Sequence, residues 1–278
     1  MDVLALAGDE LVRPEGAKPL FLLSGRVAVV FGAGSSGAGL SNGEATARAY
    51  AAAGALVAVV DLVAGEAERV AKKITATGAT ALAVTADVTD EDQVAAAVRT
   101  VVGELGVPPV LHNNVGVART GPVLELGLDD WEAGLRVNLT SVYLTTRHVL
   151  PSMLAAGKGV ITNVSSVASI RDTGYVSPVY SGAKAAVNQL TVSLALTYAA
   201  RGIRANAILP GLIDTPLVTQ QITDDPEALE ARHAASPTGR MGSPWDVAHA
   251  AVFLAGDAAA YVNGVCLPVD GGLSARCR

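Results

Sequence analysis

A tyrosine and a lysine four residues apart, in the segment YSGAK, form the first pair whose spacing has a chemical use. Ser177 and Pro178, just before them, predict a helix N-cap and a first-turn proline. Tyr180 and Lys184 therefore fall one turn apart on the same helix face. A tyrosine serves as a general acid or base near neutral pH only if its pKa, about 10 in a model peptide, falls by about 3 units. A nearby ammonium and an oxidised nicotinamide ring would both favour the phenolate. From the spacing alone, an ordinary amphipathic helix remains the alternative.

The second stretch that could do chemistry is the glycine-rich run FGAGSSGAGLSNGEA. It lies between an apolar strand and a helix, where the N–H groups of a helix N-terminus can bind a dinucleotide pyrophosphate. A literal G-x-G-x-x-G falls at residues 32–37. Ser41 or Asn42 is placed to cap the helix, which favours Gly43 as the glycine that packs closest to the helix start. The alternative is a surface turn in which the glycines are accidental.

Two aspartates stand at the ends of the next two predicted strands. Asp61 closes VAVVD, where its carboxylate can accept hydrogen bonds from both ribose hydroxyls of adenosine and would repel a 2'-phosphate. Because no Arg or Lys stands next to it, Asp61 predicts NAD rather than NADP, with helix capping as the alternative. Asp87, in TADVTD, could hold the adenine edge together with Val88, or it could cap the following helix.

The elements that must position these residues follow from hydrophobic patterning. Short apolar strands alternate with Ala-rich helical stretches, which is typical of βαβ units and a parallel sheet. The predicted strands span residues 26–32, 55–61, 79–87, 109–116, 159–166, 203–210 and 264–270. Helical periodicity covers residues 43–53, 64–76, 90–104, 129–156, 178–201 and 244–256. The position of the glycine run favours a doubly wound α/β fold over an eight-stranded barrel. We therefore predict one Rossmann domain over residues 24–278, with a seven-stranded parallel sheet flanked by helices, after an N-terminal arm of residues 1–23.

The composition argues against several classes of protein. The 278 residues are 50% hydrophobic and 17% charged, with a formal net charge of -6 and no basic cluster, so no nucleic-acid partner is expected. The start of the chain lacks the positive charge of a signal peptide, and the uncharged stretch 185–200 is too polar to span a membrane. Cys266 and Cys277 suit a reducing cytoplasm and have no metal-ligand spacing, so no metal is expected.

An ordered set of landmarks from Ser24 to Gly272 resembles the short-chain dehydrogenases/reductases. Besides the glycine run, Asp87 and YSGAK, the landmarks are NNVG (113–116), RVNLTSVY (136–143), NVSS (163–166), PGLIDTP (210–216) and VNGVCLPVDGG (262–272). The resemblance implies that Tyr180 exchanges the proton of a secondary hydroxyl while hydride passes between that carbon and nicotinamide C4. Lys184 would bind the nicotinamide ribose and lower the tyrosine pKa. Asn138 would hold a water of the proton relay, and Ser166 would polarise the substrate oxygen.

Two departures from the family pattern predict lengthened loops. Ser166, with Ser165 as its neighbour, lies fourteen residues before Tyr180, one more than is usual in the family. This spacing predicts an extra residue in the loop 172–177, which would border the substrate.

The glycine run departs further from the family pattern T-G-x-x-x-G-x-G. Gly32 and Gly43 match its first and last glycines but are eleven residues apart, which implies five inserted residues. Phe31 replaces the threonine of the pattern, and Ser41 stands where its middle glycine belongs. We therefore expect Gly32 and Gly43 to be the anchors, with phosphate contacts from the backbone between Ser41 and Gly43.

The resemblance also implies the remaining cofactor contacts, with Asn113 on the adenosine side and Val115 in place of the usual alanine. The residues expected to bind the cofactor are Gly32, Ser41, Asn42, Gly43, Asp61, Asp87, Val88, Asn114, Gly116, Tyr180, Lys184, Pro210, Gly211, Ile213 and Thr215. Residues 214–242 resemble the variable lid over the substrate pocket. Arg232 in this lid could meet an anionic substrate, with a solvated helix face as the alternative.

The predicted function is an NAD-dependent oxidoreductase for a small secondary alcohol or ketone. The family analogy also implies a homotetramer or homodimer, formed through helices 129–156 and 178–201 and the final strand. An NADPH-dependent 3-oxoacyl-type ketoreductase is the alternative enzyme. An inactive cofactor-binding regulatory protein is the alternative from another class.

Overall fold

Seven parallel strands form a single sheet in the computed structural model, which describes residues 22–35, 37, 39–216 and 226–276. The strands are β1 (Val27–Phe31), β2 (Leu56–Asp61), β3 (Ala81–Thr85), β4 (Val110–Asn113), β5 (Gly159–Val164), β6 (Ile203–Pro210) and β7 (Cys266–Val269). Their order in the sheet is β3-β2-β1-β4-β5-β6-β7. The predicted doubly wound Rossmann fold is confirmed. The strand order reverses between β1 and β4, and ligands bind at the carboxyl ends of strands at such a point. The predicted arm lies outside the described residues except for Leu22 and Leu23.

Helices cover both faces of the sheet. They are α1 (Asn42–Ala52), α2 (Ala64–Thr75), α3 (Glu91–Leu105), α4 (Leu128–Leu135), α5 (Ser141–Ala156), α6 (Pro178–Tyr198), α7 (Pro226–Ala235) and α8 (Pro244–Ala255). Side chains alternate along each strand, so Ala28 and Val30 pack with α1, α2 and α8, whereas Val29 and Phe31 pack with α3 and α5. These two apolar layers hold in place the edge of the sheet where the strands end, which we call the crevice. Among the described residues, no helix combines the length and apolarity needed to cross a membrane.

The predicted helix 129–156 is present but interrupted. A π-helical turn, Arg136–Thr140, joins α4 to α5. Just before this turn, Gly134 lies against α6, and a Cβ at Gly134 would come within 2.7 Å of the Val179 Cγ2 atom. The glycine therefore allows α4 to approach the start of α6 closely.

Candidate functional site

Tyr180 and Ser166 meet at the carboxyl end of β5. Tyr180 is half-buried in the first turn of α6, and Ser166 follows β5 directly. The Ser166 hydroxyl lies near the Tyr180 phenol and lowers its pKa, and it also accepts a hydrogen bond of 3.1 Å from the Ala168 amide. Ser165 instead donates a hydrogen bond of 3.0 Å to the Lys184 carbonyl oxygen. Of the two candidate serines, Ser166 is therefore the one that affects the pKa of the tyrosine.

The pKa of Tyr180 departs from the expectation of a lowered value. Burial raises the pKa of Tyr180 above its ordinary range, and the nearby Ser166 hydroxyl opposes that rise without cancelling it. The Lys184 ammonium lies 5.7 Å from the centre of the tyrosine ring. At this distance the ammonium does not offset the cost of burying a phenolate.

Lys184 is a buried cation held by carbonyl groups. Its side chain is 2% exposed, and Nζ donates to the Val164 carbonyl oxygen at 2.9 Å and to that of Val115 at 3.5 Å. Burial lowers the pKa of Lys184 to about 8. No ion pair joins Lys184 to a carboxylate of the described chain. Its charge is therefore available to a ligand at the crevice.

Asn138 lies in the π-helical turn and is fully buried. Its amide nitrogen donates to the carbonyl oxygens of Val117 and Gly134, both at 2.9 Å, and its Oδ1 accepts from the Val117 amide at 3.1 Å. A Cβ at Gly116 would lie 3.0 Å from Lys184 Nζ and 3.2 Å from Asn138 Oδ1. The Asn138 side chain thus fixes the segment after β4 beside the lysine. Its predicted role in holding a water stays a prediction.

Gly32 and Gly43, the two predicted anchors of the glycine run, lie in contact. A Cβ at Gly43 would overlap the Gly32 carbonyl oxygen, to which Asn114 Nδ2 donates at 2.8 Å. Gly32 has a φ of +78°, and a Cβ there would lie 2.7 Å from Val115 Cγ2. Neither position admits a side chain, so the start of α1 packs directly on the end of β1.

The inserted loop between these anchors folds back onto β2. Ser41 is the N-cap of α1, since its hydroxyl accepts from the Glu44 amide at 3.0 Å, and it also donates to the Gly34 carbonyl oxygen at 2.6 Å. The Gly34 amide donates to Asp61 Oδ2 at 2.7 Å. Asp61 Oδ1 accepts from the Val63 amide at 3.1 Å. Each carboxylate oxygen offers about two acceptor positions, so both oxygens keep one for a ribose hydroxyl.

A group of charged side chains lies beside the inserted loop, and we call Glu44, Glu66, Arg69 and Lys73 the Glu44 cluster. Glu44 is fully buried, and its carboxylate pairs with Arg69 at 2.7 Å and with Lys73 at 2.8 Å. Arg69 also pairs with Glu66 at 2.7 Å. Burial would raise the pKa of Glu44, but the two cations outweigh it and hold the pKa below its usual range. The cluster lines a cavity of about 450 Å³.

The aspartate after β3 does not cap the next helix. Asp87 Oδ1 accepts from the amide and the hydroxyl of Thr89, whereas Asp90 is the N-cap of α3. The alternative role of Asp87 as a helix cap is therefore wrong. Its predicted contact with adenine, beside the buried Val88, stays a prediction.

The predicted nicotinamide-end segment follows β6. A Cβ at Gly211 would lie 2.6 Å from that of Asp270, so this glycine lets the segment pass close to the end of β7. Ile213 forms a parallel bridge with Gly242, and Thr215 is buried. Pro210 ends β6 at the same edge of the sheet as Ser166, which follows β5.

Arg232 lies on α7 and is 9% exposed, so its alternative as part of a solvated helix face is wrong. The guanidinium carbon lies 4.7 Å from the ring centre of Tyr175. Neither Nε nor Nη1 has a hydrogen-bond partner in the described part of the chain. Residues 217–225 of the predicted lid lie outside the described residues.

Sequence reasoning does not identify the Glu44 cluster or Tyr175. An acidic residue directly after the last glycine of the run, with Arg69 and Lys73 four residues apart on the next helix, is the signal that could have found the cluster. Tyr175 lies in the loop for which an extra residue is predicted, and nothing in its sequence context marks it. Within the described ranges, no group of three or more His, Cys, Asp or Glu side chains could hold a metal ion.

Comparisons with known proteins identify the family. A family model described as enoyl-(acyl carrier protein) reductase matches residues 37–274. The cis-4-hydroxycyclohexanecarboxylate dehydrogenase of Sinomonas cyclohexanicum is 45% identical over 251 residues, which cover 90% of this chain and 97% of that protein.

Two crystal structures have the same fold. A Burkholderia xenovorans protein assigned to the short-chain dehydrogenases/reductases has a TM-score of 0.87 at 38% identity, covering 94% of this chain and 100% of its own. A gluconate 5-dehydrogenase of Burkholderia cenocepacia, in complex with NADP and tartrate, has a TM-score of 0.85 at 34% identity, covering 92% and 98%. The chain belongs to the short-chain dehydrogenase/reductase family, as its sequence landmarks predict, and is an oxidoreductase that acts on CH–OH groups.

Proposed function

We propose that this enzyme transfers hydride between a secondary alcohol or ketone and NAD, with Tyr180 as the general acid or base. The observation that carries the proposal is the meeting of Ser166, Tyr180 and Lys184 at the crevice end of β5. The Sinomonas relative is named for a substrate with a secondary hydroxyl group, which supports this substrate class.

The roles of the three side chains follow from their donors and charges. In the oxidation direction, the Tyr180 phenolate accepts the proton of the substrate hydroxyl, while the Ser166 hydroxyl hydrogen-bonds the substrate oxygen. Lys184 supplies a positive charge near the phenolate and binds the ribose hydroxyls next to the nicotinamide. Bound NAD supplies the hydride acceptor and a further positive charge. Asn138 holds the segment around Val117 in place and binds a relay water.

The residues of the crevice fit a dinucleotide. Gly32 and Gly43 bring the β1 end and the N-terminus of α1 together without side chains, so the helix amides can receive a pyrophosphate. The acceptor positions left on Asp61 suit the two ribose hydroxyls of adenosine. Asn114, Gly116 and Val88 complete that side of the crevice.

A preference for NAD over NADP is supported by the charges near Asp61. Arg69 and Lys73 are the neighbouring cations, and both are paired with Glu44, so neither is left to receive a 2'-phosphate. We expect direct titration to give an affinity for NAD at least tenfold above that for NADP, or about 1.4 kcal/mol. The Burkholderia cenocepacia structure contains NADP, so tighter binding of NADP here would overturn the role given to Asp61.

The test of the proposed function is a panel of secondary alcohols with NAD, read as the absorbance of the reduced nicotinamide. We expect at least one alcohol to be oxidised. The matched variant is Tyr180→Phe, which should bind NAD as the unmodified protein does but lose turnover by about 10³-fold. Full turnover in Tyr180→Phe would contradict the mechanism.

We also propose that the protein assembles as a homotetramer. Exposed apolar side chains on the two long helices support this, because Tyr143 on α5 is 48% exposed and Leu196 on α6 is 76% exposed. Light scattering that gives the mass of one chain would contradict the assembly.

A further inference from the structure

We propose that Arg232 binds a carboxylate group of the substrate, so that the enzyme acts on secondary hydroxy acids and their keto acids rather than on neutral alcohols. This inference deepens the proposed function and rests on it. It assigns to α7 a residue that selects substrates by charge.

The first observation is the burial of a cation that has no ion-pair partner among the described residues. Arg232 is 9% exposed, and no described residue accepts a hydrogen bond from its Nε or Nη1. A guanidinium is always charged in a protein, and burying it is costly unless an anion or hydrogen-bond acceptors compensate. A ligand that brings its own anion would remove this cost on binding.

The second observation is how the guanidinium is held. Its central carbon lies 4.7 Å from the ring centre of Tyr175, so the arginine stacks on an aromatic face. The face of an aromatic ring stabilises part of the positive charge. It accepts no hydrogen bonds from the N–H groups in the guanidinium plane. The planar edge of a guanidinium matches the two oxygens of a carboxylate, which is the strongest pairing that such an edge can make.

The third observation is the location of the contact. Tyr175 lies in the loop that connects Ser166 to Tyr180, the two residues proposed to act on the substrate oxygen. Arg232 therefore contacts the segment whose ends carry the reacting groups. A substrate held through its hydroxyl at Tyr180 can extend along this loop toward the guanidinium.

Helix α7 is fixed at its C-terminal end, which gives Arg232 a defined position. The His233 ring nitrogen Nδ1 accepts from the Met241 amide at 3.0 Å, and Arg276 donates to the Ala235 carbonyl oxygen at 3.2 Å. A Cβ at Gly271, just after β7, would lie 2.7 Å from the Ser236 hydroxyl oxygen. These contacts place the end of α7 over the carboxyl end of the sheet.

Arg240 provides a matched control in the same part of the chain. Its side chain is 65% exposed, lies 3.9 Å from the Asp246 carboxylate, and donates to the Met241 carbonyl oxygen at 3.1 Å. Arg240→Gln and Arg232→Gln each remove one positive charge. Arg240, unlike Arg232, is exposed to solvent and has hydrogen-bond and ion-pair partners. Any effect of overall charge is therefore common to both variants.

The kinetic experiment compares 3-hydroxybutyrate, mandelate and 3-hydroxycyclohexanecarboxylate with their carboxamides, using NAD and each protein. We expect kcat/KM for the acids to exceed that for the amides, and Arg232→Gln to reduce this ratio by about 10- to 100-fold. Arg240→Gln should leave the ratio unchanged. A ratio that Arg232→Gln does not change, in an enzyme that oxidises these alcohols, overturns the carboxylate site and leaves the proposed function standing.

A binding experiment separates the site from the reaction. Benzoate and benzamide are titrated by calorimetry into the unmodified protein and both variants, with and without NAD. We expect benzoate to bind at least tenfold more weakly to Arg232→Gln than to the other two proteins, and benzamide to bind all three alike. Equal benzoate binding by all three overturns the site. Arg232-dependent benzoate binding without turnover of any alcohol would instead contradict the proposed function alone.

A variant that keeps the charge guards against a folding defect. If Arg232→Gln does not fold by circular dichroism, Arg232→Lys takes its place in both experiments, because lysine retains the cation but loses the planar edge. We expect the acid-to-amide ratio to fall by about threefold or more in Arg232→Lys. An unchanged ratio overturns the proposal.

Discussion

Two regions of the molecule bury charge in opposite ways. In the Glu44 cluster, the carboxylate of Glu44 is fully buried but bound by Arg69 and Lys73. At the end of β5 and on α7, Lys184 and Arg232 are almost as buried, and no carboxylate of the described chain pairs with either. A buried charge with a counter-ion holds elements together, whereas a buried charge without one gains further stabilisation when a polar or anionic ligand binds.

This contrast separates structural charges from functional ones by a simple criterion. The Glu44 cluster joins α1 to α2 under the inserted loop, so its removal should affect folding before it affects chemistry. Lys184 and Arg232 cost folding free energy, so their removal should affect chemistry first. Four predictions test this separation.

The largest expected effect comes from Lys184→Met, which removes the charge while keeping the length of the side chain. We expect kcat/KM to fall by about 10³-fold, because Tyr180 loses the cation that favours its phenolate. The free energy of unfolding should stay the same or rise, since an unpaired buried charge is removed. Steady-state kinetics and urea denaturation measure the two effects. A Lys184→Met variant that loses stability but keeps its activity would contradict the prediction that this charge matters for chemistry rather than for folding.

The second prediction concerns the pH dependence of stability. The pKa of Lys184 is lowered from 10.5 to about 8 in the folded chain, so between these values the unfolded chain binds a proton that the folded chain has released. Stability should therefore rise with pH over this window, by at most about 1.4 kcal/mol per pH unit. Urea denaturation from pH 7 to 10.5 gives the free energy of unfolding of the unmodified protein and of Lys184→Met. The difference between the two values should rise with pH. A difference that is independent of pH would contradict it.

The third prediction is the converse case, Glu44→Gln. We expect a loss of about 2 kcal/mol in the free energy of unfolding, because two cations lose their buried partner. This loss in the free energy of unfolding is smaller than for a fully buried ion pair, because the side chains of Arg69 and Lys73 are 33% and 47% exposed. Turnover at saturating NAD should be unchanged. Glu68→Gln, on the exposed face of α2, is the control and should be neutral within about 0.5 kcal/mol.

The smallest expected effect is that of Ser41→Ala. This change removes the α1 cap and the bond to Gly34, and we expect a loss of about 1 kcal/mol, or about 2–4 °C in Tm. Ser193→Ala, at an exposed position of α6, is the control. A thermal melt in which both variants match the unmodified protein would show that the inserted loop is not held by Ser41.

Much of the fold can be predicted from local pattern. The predicted helix 64–76 is observed as α2, and the predicted strand 203–210 matches β6. Apolar periodicity defines these elements, and Gly or Pro marks their ends. The strand before and the helix after also predict Gly32 and Gly43 as the anchors of the inserted loop, whereas their direct contact is seen only in the structure.

The parts that could not be predicted depend on contacts between distant segments. Glu44 carries a structural charge only because α2 brings Arg69 and Lys73 beside it. Arg232, on α7, stacks on Tyr175, which belongs to a loop more than fifty residues earlier in the chain. The pKa of Tyr180 is likewise set by tertiary burial, which its spacing from Lys184 does not reveal. In each case the sequence supplies the residue types but not the solvent exposure.

The π-helical turn Arg136–Thr140 limits changes in the length of the segment from α4 to α5. Such a turn holds one residue more than an α-helical turn, so it rotates everything after it by about 100° relative to everything before it. This phase shift lets α4 direct Gly134 toward α6, while α5 directs Val149 and Met153 toward the sheet. A single-residue deletion within the turn would restore a continuous α-helix and bring the two faces into the same phase. The packing of α4 and α5 on their two different neighbours therefore constrains the length of the segment.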